Sequence, residues 1–266
     1  MKIIVCIKQV PDTTEVRLDP VTNTLIRDGV PSIINPDDKA GIEAALRIKD
    51  KDPENVTVTV LSMGIPAADV ALREALAMGC DDAILVTDRP FGGADTWATS
   101  CTIAGAVKTV KDYDLIITGR QAIDGDTAQV GPQLAEHLGL PQVSYAEELE
   151  IIDDETIRVK RKFEDRYHII EVKLPCVITA LTELAEPRYM TVEGVYDAYA
   201  HDITVWGLED VKDNLDVANI GLKGSCTRVV QSYGKEVKGA GTILEDLTPE
   251  EAARAIVSKL EEEYII

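Results

Sequence analysis

Five short stretches rich in valine and isoleucine recur along the chain, and they are apolar throughout rather than alternating with polar positions. They occupy residues 2–7, 56–61, 83–86, 114–118 and 176–180. Strands of this kind are buried on both faces, as in a parallel sheet that helices cover on each side. Helical patterns separate the stretches. The sequence therefore predicts an α/β fold with a doubly wound, mostly parallel, Rossmann-like sheet.

Local start and stop signals predict the helices between these strands. Asn35 is followed by a proline and two aspartates, which predicts an N-cap, a proline at the first helical position and an acidic first turn for a helix over 36–48. Two more helices are predicted over 66–78, ended by a glycine, and over 95–111, capped by its aspartate.

Two insertions interrupt the alternation of strand and helix. Residues 12–27 have the pattern of an antiparallel hairpin around a turn that contains Pro20. Residues 148–172 alternate apolar and polar positions around a turn at Asp153 and Asp154. We interpret the second insertion as a half-exposed antiparallel flap on the edge of the sheet.

After residue 209 the chain becomes polar and glycine-bearing, with little periodicity up to Leu247. A compact domain would not extend so far without regular structure, so we expect an extended arm that lies on another surface. Thr248 then opens a capping box with proline at the first helical position, followed by one apolar stripe formed by Ala252, Ile256 and Leu260. The predicted parts are an α/β nucleotide-binding domain over 1–209 and an arm ending in a helix over 210–266.

The segment from Gly119 to Gly131 follows a predicted strand and precedes a predicted helix. Backbone N–H groups and the positive end of the helix dipole converge at such a point, which favours phosphate. The segment is neither a Walker A loop nor GxGxxG, so an ordinary strand-to-helix turn stays an open alternative. Pro132 implies a helix that begins near Ala128 or is kinked, and either choice leaves the amides of 125–131 short of helical partners.

Composition excludes several classes of function. A formal charge of −20 disfavours binding to nucleic acid or to anionic lipid. No signal peptide and no apolar run of membrane-spanning length is present, and five widely spaced cysteines are typical of free thiols, so a cytoplasmic protein is expected. The three histidines have no metal-ligand spacing, and no nucleophile motif occurs. No catalytic side chain is predicted, so reactivity would belong to a cofactor.

Five segments in order give the chain a resemblance to the beta subunit of electron-transfer flavoproteins along nearly its whole length. They are VCIKQVPDT, DGVPSIINPDDKAGIEAAL, ALREALAMGCDDAILV, GRQAIDGDTAQVG and LAEPRYM. The pattern is most similar to beta subunits of anaerobic bacteria that perform flavin-based electron bifurcation.

The resemblance implies a bound nucleotide, which is AMP in conventional members and FAD in bifurcating ones. It implies NADH as the electron donor, an alpha subunit carrying its own FAD, an acyl-CoA dehydrogenase-type partner, and ferredoxin or flavodoxin as a second acceptor. The positions that match the family's nucleotide contacts are Cys6, Lys8, Asn35, Asp38, Met63, Gly119, Arg120, Gln121, Ala122, Asp124, Gly125, Asp126, Thr127, Ala128, Gln129, Val130 and Gly131.

Several of these positions have simpler interpretations, which stay open. Asn35 could be only a helix cap, and Met63 could be only a core residue. We expect Asp124 and Asp126 to orient the loop rather than to face a phosphate, which they would repel. The small residues Gly125 and Ala128 suggest room for FAD rather than AMP.

The resemblance also implies a recognition loop near 184–200 for the dehydrogenase partner. Its candidate apolar anchors are Tyr189, Met190, Val192 and Tyr196. The arm and terminal helix would dock on the alpha subunit. A cleft for NADH is expected along residues 62–66. Two alternatives are a conventional carrier with structural AMP and an ATP-binding regulatory protein of the universal-stress type, which has a similar sheet.

Overall fold

The computed structural model describes residues 1–12, 31–230, 239 and 241–266. In chain order the α-helices are α1 (Pro36–Lys49), α2 (Asp69–Met78), α3 (Thr96–Val110), α4 (Val130–Leu138), α5 (Val192–Ala200), α6 (Leu208–Val211), α7 (Gly221–Gly224) and α8 (Pro249–Glu262). The strands are β1 (Lys2–Cys6), β2 (Gln9–Pro11), β3 (Ser32–Ile34), β4 (Thr57–Met63), β5 (Asp82–Val86), β6 (Leu115–Gly119), β7 (Gln142–Asp153), β8 (Thr156–Lys162), β9 (Tyr167–Lys173), β10 (Cys176–Ala180) and β11 (Thr204–Trp206).

Nine of these strands form one sheet in the order β11-β5-β4-β1-β6-β10-β7-β8-β9. Pairing is parallel from β11 through β7 and antiparallel in the β7-β8-β9 ribbon. The chain extends the sheet in one direction from β1 through β4 and β5, and then in the other direction from β6. This reversal confirms the doubly wound α/β fold, and the carboxyl ends of β1 and β6 flank the point where such sheets bind ligands.

Two apolar cores lie on the two faces of the sheet. Helices α1 and α2 cover one face, and their buried side chains include Ile42 and Leu72. Helices α3 and α4 cover the other face, where Ala104 and Leu134 are buried. Because each central strand is buried on both sides, its sequence is apolar throughout, which is the pattern that predicted it.

The ribbon confirms the antiparallel insertion predicted over 148–172. Strands β7 and β8 pair around the turn at Asp153 and Asp154, and β9 then pairs with β8. Ile157 and Val159 are fully buried, whereas much of β9 is exposed. The alternation in sequence therefore corresponds to a ribbon with one covered face.

Residues 208–224 differ from the expectation of an arm without regular structure. Helices α6 and α7 and two short 3₁₀ turns occupy this segment, and the compact unit continues to Val230. Val211 and Ile220 are buried in the core beneath α3, and a Cβ at Gly105 of α3 would lie 2.8 Å from Leu215. These apolar residues are spaced irregularly in the sequence and therefore show no helical or strand period, yet they pack against α3.

Three further points concern the predicted insertions and termini. Residues 13–27 of the hairpin predicted over 12–27 lie outside the described residues, although β2 and β3 form an antiparallel pair next to them. Strand β11, which pairs with β5, was not predicted. The second half of the recognition loop predicted over 184–200 is a helix, α5. The docking role of 210–266 stays a prediction.

Helix α8 begins as its sequence predicts. Thr248 accepts a hydrogen bond from the N–H of Glu251, and the Glu251 carboxylate accepts one from the N–H of Thr248, at 3.3 and 2.9 Å. Ile256 and Val257 are 54% and 45% exposed. In the described part of the chain, no helix is both long enough and apolar enough to cross a membrane.

Candidate nucleotide-binding site

The candidate site lies where the carboxyl ends of β1, β4 and β6 meet. Cys6 ends β1 opposite Thr118 of β6 and Leu61 of β4. Burial, and to a lesser extent the nearby Asp38 carboxyl, raises the pKa of the Cys6 thiol to about 12, so this group is neutral. Met63, at the end of β4, is half-buried and packs against the core beneath α3.

Asp38, in the first turn of α1, connects the ends of β1 and β6. Its Oδ2 accepts a hydrogen bond from the backbone N–H of Lys8 at 2.7 Å. Its Oδ1 accepts bonds from the N–H of Gly119 at 2.9 Å and from Asn35 Nδ2 at 3.0 Å. Burial raises the pKa of Asp38 to about 7, while these three donors oppose the rise. Asp38 therefore positions the two strand ends rather than presenting its carboxylate to a ligand.

Asn35 fixes the start of the loop. Its Nδ2 donates to the carbonyl oxygen of Gln121 at 2.8 Å, and its Oδ1 accepts from the N–H of Ile123 at 3.1 Å. The side chain is almost completely buried and makes no capping bond to α1. The interpretation of Asn35 as only a helix cap is therefore wrong, because its amide holds the backbone of a loop that is distant in sequence.

The two aspartates of the loop are both paired. Lys8 Nζ lies 2.6 Å from Asp124 Oδ1, and the Asp124 side chain is only 7% exposed. Gln121 Nε2 donates to Asp126 Oδ1 at 2.7 Å. In the structure both carboxylates orient the loop, as their sequence context led us to expect, and Lys8 neutralises the buried one.

Near the end of this loop, several backbone N–H groups are open, which means that they have no hydrogen-bond acceptor in the described residues. The N–H groups of Gly125 and Asp126 donate to the carbonyl oxygen of Ala122 at 3.1 and 2.9 Å, so they are not free, contrary to the expectation for 125–131. In the described residues, none of the N–H groups of Thr127, Ala128 and Gln129 donates to a protein acceptor. Val130 and Gly131 follow in the first turn of α4, where N–H groups lack helical partners.

The backbone at these positions directs the open N–H groups toward one another. Ala128 has a left-handed φ of 52°, and Gln129 follows with φ −108° and ψ −31°. Alternation of left- and right-handed residues turns successive N–H groups toward a common point and forms a concave anion site. Asp126 is also left-handed, at φ 51°. Such conformations are strained in residues other than glycine, and strain of this kind is concentrated at functional sites.

Glycine occupies three positions of the segment 119–131 whose surroundings differ. A Cβ at Gly131 would lie 2.6 Å from both Thr118 Oγ1 and Thr179 Cγ2, so this glycine lets α4 approach β6 and β10. A Cβ at Gly119 would lie 2.1 Å from Asp38 Oδ1. A Cβ at Gly125 would meet nothing within 4 Å, and the φ of Gly125 is not left-handed, so only open space surrounds it.

Two polar side chains near the site were not among the predicted nucleotide contacts, although Ser62 lies in the stretch 62–66 that was expected to form a cleft. Thr96, the first residue of α3, donates through Oγ1 to Gln129 Oε1 at 2.7 Å, which places the starts of α3 and α4 side by side. Ser62 is 1% exposed, and its Oγ has no hydrogen-bond partner in the described structure. Neither residue follows a recognisable motif, although Thr96 directly follows a helix cap.

The cleft expected along 62–66 is present but small. Ser62, Met63 and Gly64 line a cavity of about 120 Å³ together with Lys8. Sites for small molecules typically have about 300–1,000 Å³.

Arg120 extends from the loop toward α1. Its Nε lies 3.4 Å from Asp37 Oδ2 without the geometry of a hydrogen bond. Burial raises the pKa of Asp37, and the Arg120 charge opposes that rise. In the described residues, no cluster of His, Cys, Asp or Glu could hold a metal ion.

The candidate recognition segment is anchored by Arg188. Its guanidinium lies 2.7 Å from Glu43 Oε2 and 2.6 Å from Asp50 Oδ2, both at the side of α1. Gly194 of α5 packs so closely on α2 that a Cβ there would lie 2.6 Å from the carbonyl oxygen of Ala77. The four expected apolar anchors are exposed, by 97% at Tyr189, 46% at Met190, 90% at Val192 and 78% at Tyr196.

Comparison with known proteins adds independent information. Residues 22–210 match the family model described as the electron transfer flavoprotein domain. The chain is 56% identical over 266 residues to "Electron transfer flavoprotein subunit beta" of Clostridium acetobutylicum, with full coverage of both chains. It is 53% identical to "Caffeyl-CoA reductase-Etf complex subunit CarD" of Acetobacterium woodii, again with full coverage of both. It is 45% identical over 272 residues to "Acryloyl-CoA reductase electron transfer subunit gamma" of Anaerotignum propionicum, covering 100% of each chain.

Proposed function

Because the chain belongs to the electron-transfer flavoprotein family and is of the beta-subunit type, we propose that it forms a heterodimer with an alpha subunit and holds FAD rather than AMP. The observation that carries this proposal is the series of open backbone N–H groups from Thr127 to Gly131, beside the open space at Gly125.

The loop has the chemistry that a nucleotide diphosphate requires. The N–H groups converge at the start of α4, where the helix dipole adds partial positive charge. The two nearby aspartates would repel phosphate, but Lys8 and Gln121 occupy their oxygens. Lys8 is itself 44% exposed, so its ammonium group also faces solvent at the rim of the site.

The preference for FAD over AMP rests on space. AMP and FAD both carry phosphate, and in either case the phosphate would have to approach the backbone amides of the loop closely. FAD is larger, and the space around Gly125 and the small side chain of Ala128 would leave a path for the rest of the molecule. When bound, FAD would supply a flavin that accepts hydride from NADH and shares the two electrons between ferredoxin or flavodoxin and the alpha-subunit FAD.

The residues of this chain would position the bound ligand. Asp38 and Asn35 fix the strand ends and the loop backbone, so the anion site would be preorganised before the ligand arrives. Gly131 would keep the α4 terminus close to the sheet edge. The Ser62 hydroxyl, which is buried and has no partner in the described structure, would offer one polar contact in the small cleft where the nicotinamide ring could enter.

The partners are proposed from the relatives and from the exposed surfaces. Two relatives carry the names of acyl-CoA reductase complexes, which supports an acyl-CoA dehydrogenase-type partner here. The exposed anchors led by Tyr189 would bind that partner, and the apolar stripe of α8 would dock on the alpha subunit. Hydrophobic and aromatic side chains of this kind supply most of the energy of protein interfaces.

A conventional carrier with structural AMP is the alternative within the family, because the same loop amides would hold its single phosphate. The family match leaves the ATP-binding regulatory alternative without support. To decide between FAD and AMP, the purified heterodimer should be extracted with acid and the released nucleotides separated by chromatography. Two FAD and no AMP, with direct reduction of the second flavin by NADH, is the expected result. One FAD with one AMP would defeat the proposal.

A further inference from the structure

A second cavity, of about 670 Å³, opens at the same edge of the sheet on the side of α1. Its lining includes Arg120 directly after β6, Tyr145 of β7, Leu181 directly after β10, and residues 163–166 between β8 and β9. Arg120, which is also one of the candidate nucleotide contacts, borders it together with Asp37, so the cavity adjoins that site and shares this residue with it. Its volume falls within the range of about 300–1,000 Å³ that is typical of sites for small molecules.

In this cavity, one guanidinium nitrogen of each of two arginines lacks an acceptor. Arg120 Nε and Arg161 Nε are both shielded from solvent and have no hydrogen-bond partner in the described structure. Native proteins rarely leave buried charged donors unpaired, because the lost hydration is not replaced. Arg120 at least lies near Asp37. Arg161 forms no ion pair with any carboxylate in the described residues.

Aromatic rings hold these guanidinium groups in place. The Arg161 guanidinium carbon lies 4.7 Å from the centre of the Phe163 ring, and that of Arg120 lies 5.9 Å from Tyr145. Tyr145 adopts a left-handed φ of 61°, and its N–H donates to Thr179 Oγ1 at 3.0 Å. A guanidinium stacked on a ring keeps its N–H edge free for a planar or tetrahedral oxyanion.

Carboxylates around the cavity are largely paired with other cations. Glu183 pairs with Lys162 at 2.5 Å, and Asp165 lies 3.5 Å from Arg166. Glu164 is the carboxylate of the lining without an ion pair among the described residues, and its side chain is exposed at the rim. The four carboxylates of the lining are therefore matched by four cations, of which Arg161 has no carboxylate partner in the described residues.

We infer that this cavity is a second oxyanion site, which binds the phosphate group of a small molecule through Arg161 and Arg120. Phosphate suits it better than a single carboxylate, because two arginines border the cavity and phosphate offers more acceptor oxygens. The inference goes beyond the proposed function, since it concerns a site other than the Thr127–Gly131 amides.

Protection from chemical modification tests the site in the full-length chain. Phenylglyoxal modifies accessible arginines, and peptide mass spectrometry reports each position separately. Inorganic phosphate or AMP should slow modification of Arg161 and leave Arg158 unaffected. Arg158 is a matched control on the same strand, since it already pairs with Glu150 and Glu171 on the exposed side. Equal rates at Arg161 with and without phosphate would overturn the inference.

Calorimetric titration of variants gives a second readout. R161Q should weaken phosphate binding at this site by about tenfold or more, because it removes a charge-assisted hydrogen bond. R158Q should bind like the wild type, and R161K should be intermediate, because it keeps the charge but not the guanidinium. Nucleotide bound at the loop amides should be unchanged in R161Q, which separates this inference from the proposed function. Protection of Arg161 on heterodimer assembly, with no effect of phosphate, would instead identify a protein carboxylate as the occupant and overturn the inference.

Discussion

The backbone N–H of Gly119 donates to Asp38 Oδ1 over 2.9 Å, and a Cβ at position 119 would lie 2.1 Å from that same oxygen. The bond joins the end of β6 to the first turn of α1 across 81 positions of the chain. Glycine is required here because the carboxylate occupies the place where any side chain would begin.

We therefore expect Gly119→Ala to lower the free energy of unfolding by about 2–3 kcal/mol, since the methyl group would displace a buried, hydrogen-bonded carboxylate. Gly125→Ala is the matched control. Its Cβ would meet nothing within 4 Å, so a change within about 0.5 kcal/mol is expected. Urea denaturation of both variants measures the difference, and equal midpoints would contradict the steric argument.

Asp38 should give the protein a characteristic dependence of stability on pH. Burial raises its pKa from 3.8 to about 7 in the folded chain. Between these two values the folded state binds more protons than the unfolded state, so this group makes stability fall as pH rises. Above pH 7 both states are ionised and the contribution of this group is constant.

Asp38→Asn removes the titration, although its amide cannot accept both backbone N–H groups. The stability advantage of the wild type over D38N should therefore narrow as pH rises from about 4 to 7, and then stay level. Unfolding free energies measured across that range give the answer. A difference that is independent of pH would show that Asp38 is ionised throughout.

Replacing Arg188 should affect both the stability of the fold and the position of the candidate recognition anchors. It pairs with Glu43, whose side chain is 5% exposed, and with Asp50. Hydrogen bonds from Arg188 and Arg47 more than offset the effect of burial and lower the pKa of Glu43, so this stabilisation is present above pH 4.5 and is lost as pH falls below it. Arg188→Gln should cost about 2 kcal/mol, less than a fully buried pair would, because solvent reaches Arg188.

The same variant should weaken binding of the proposed dehydrogenase-type partner, because the candidate anchors Tyr189 and Met190 follow Arg188 directly. Thermal melting and partner titration should be measured together. Arg158→Gln, which removes exposed ion pairs only, should change neither quantity. Normal partner binding by a destabilised R188Q would separate the two roles and refute the coupling.

The sequence predicted those features that depend on neighbouring residues. The strand over 176–180 and the capping box at Thr248 follow from local pattern alone, and both agree with the structure. Asn35 shows what a local sequence pattern does not predict. Its position before a proline predicted a cap, but its contact with Gln121 depends on how α1 packs against β6. The pair of Arg188 with Glu43, 145 positions apart, likewise has no local signal.

For a related reason the sequence predicted the candidate anion site only in outline, and its occupation by a nucleotide stays a prediction. A strand, a glycine-bearing loop and a helix in succession indicate an anion site from sequence order alone. Which N–H groups are open depends on two left-handed residues, Asp126 and Ala128, that are not glycine and so gave no signal. Strand β11 has only three residues and the α6–α7 segment lacks a period, so tertiary packing decided both.

The apolar stripe of α8 should be required for assembly with the alpha subunit. Ile256 lies in the middle of that stripe and is 54% exposed. Ile256→Asp should abolish co-purification of the two subunits, because it places a charge in an apolar interface. Ser258→Asp, on another side of the same helix, should leave co-purification intact. If both variants assemble normally, the helix does not carry the interface.

Gly125 gives the most direct test of the loop as a nucleotide site. A Cβ at this position would have no atom within 4 Å, and the φ of Gly125 is not left-handed, so a side chain there would meet neither protein atoms nor backbone strain. Gly125→Leu should therefore fold with a melting temperature close to that of the wild type. The leucine would lie in the same loop as the open N–H groups of 127–131, and we expect it to obstruct a ligand bound there.

We expect the nucleotide content of the purified G125L heterodimer to fall by about tenfold or more, as for loss of one strong phosphate contact. Gly125→Ala, with a side chain of one carbon, should keep most of the nucleotide. Acid extraction and chromatography of both variants measure the content directly. Unchanged content in a folded G125L would mean that this segment is only a turn between a strand and a helix.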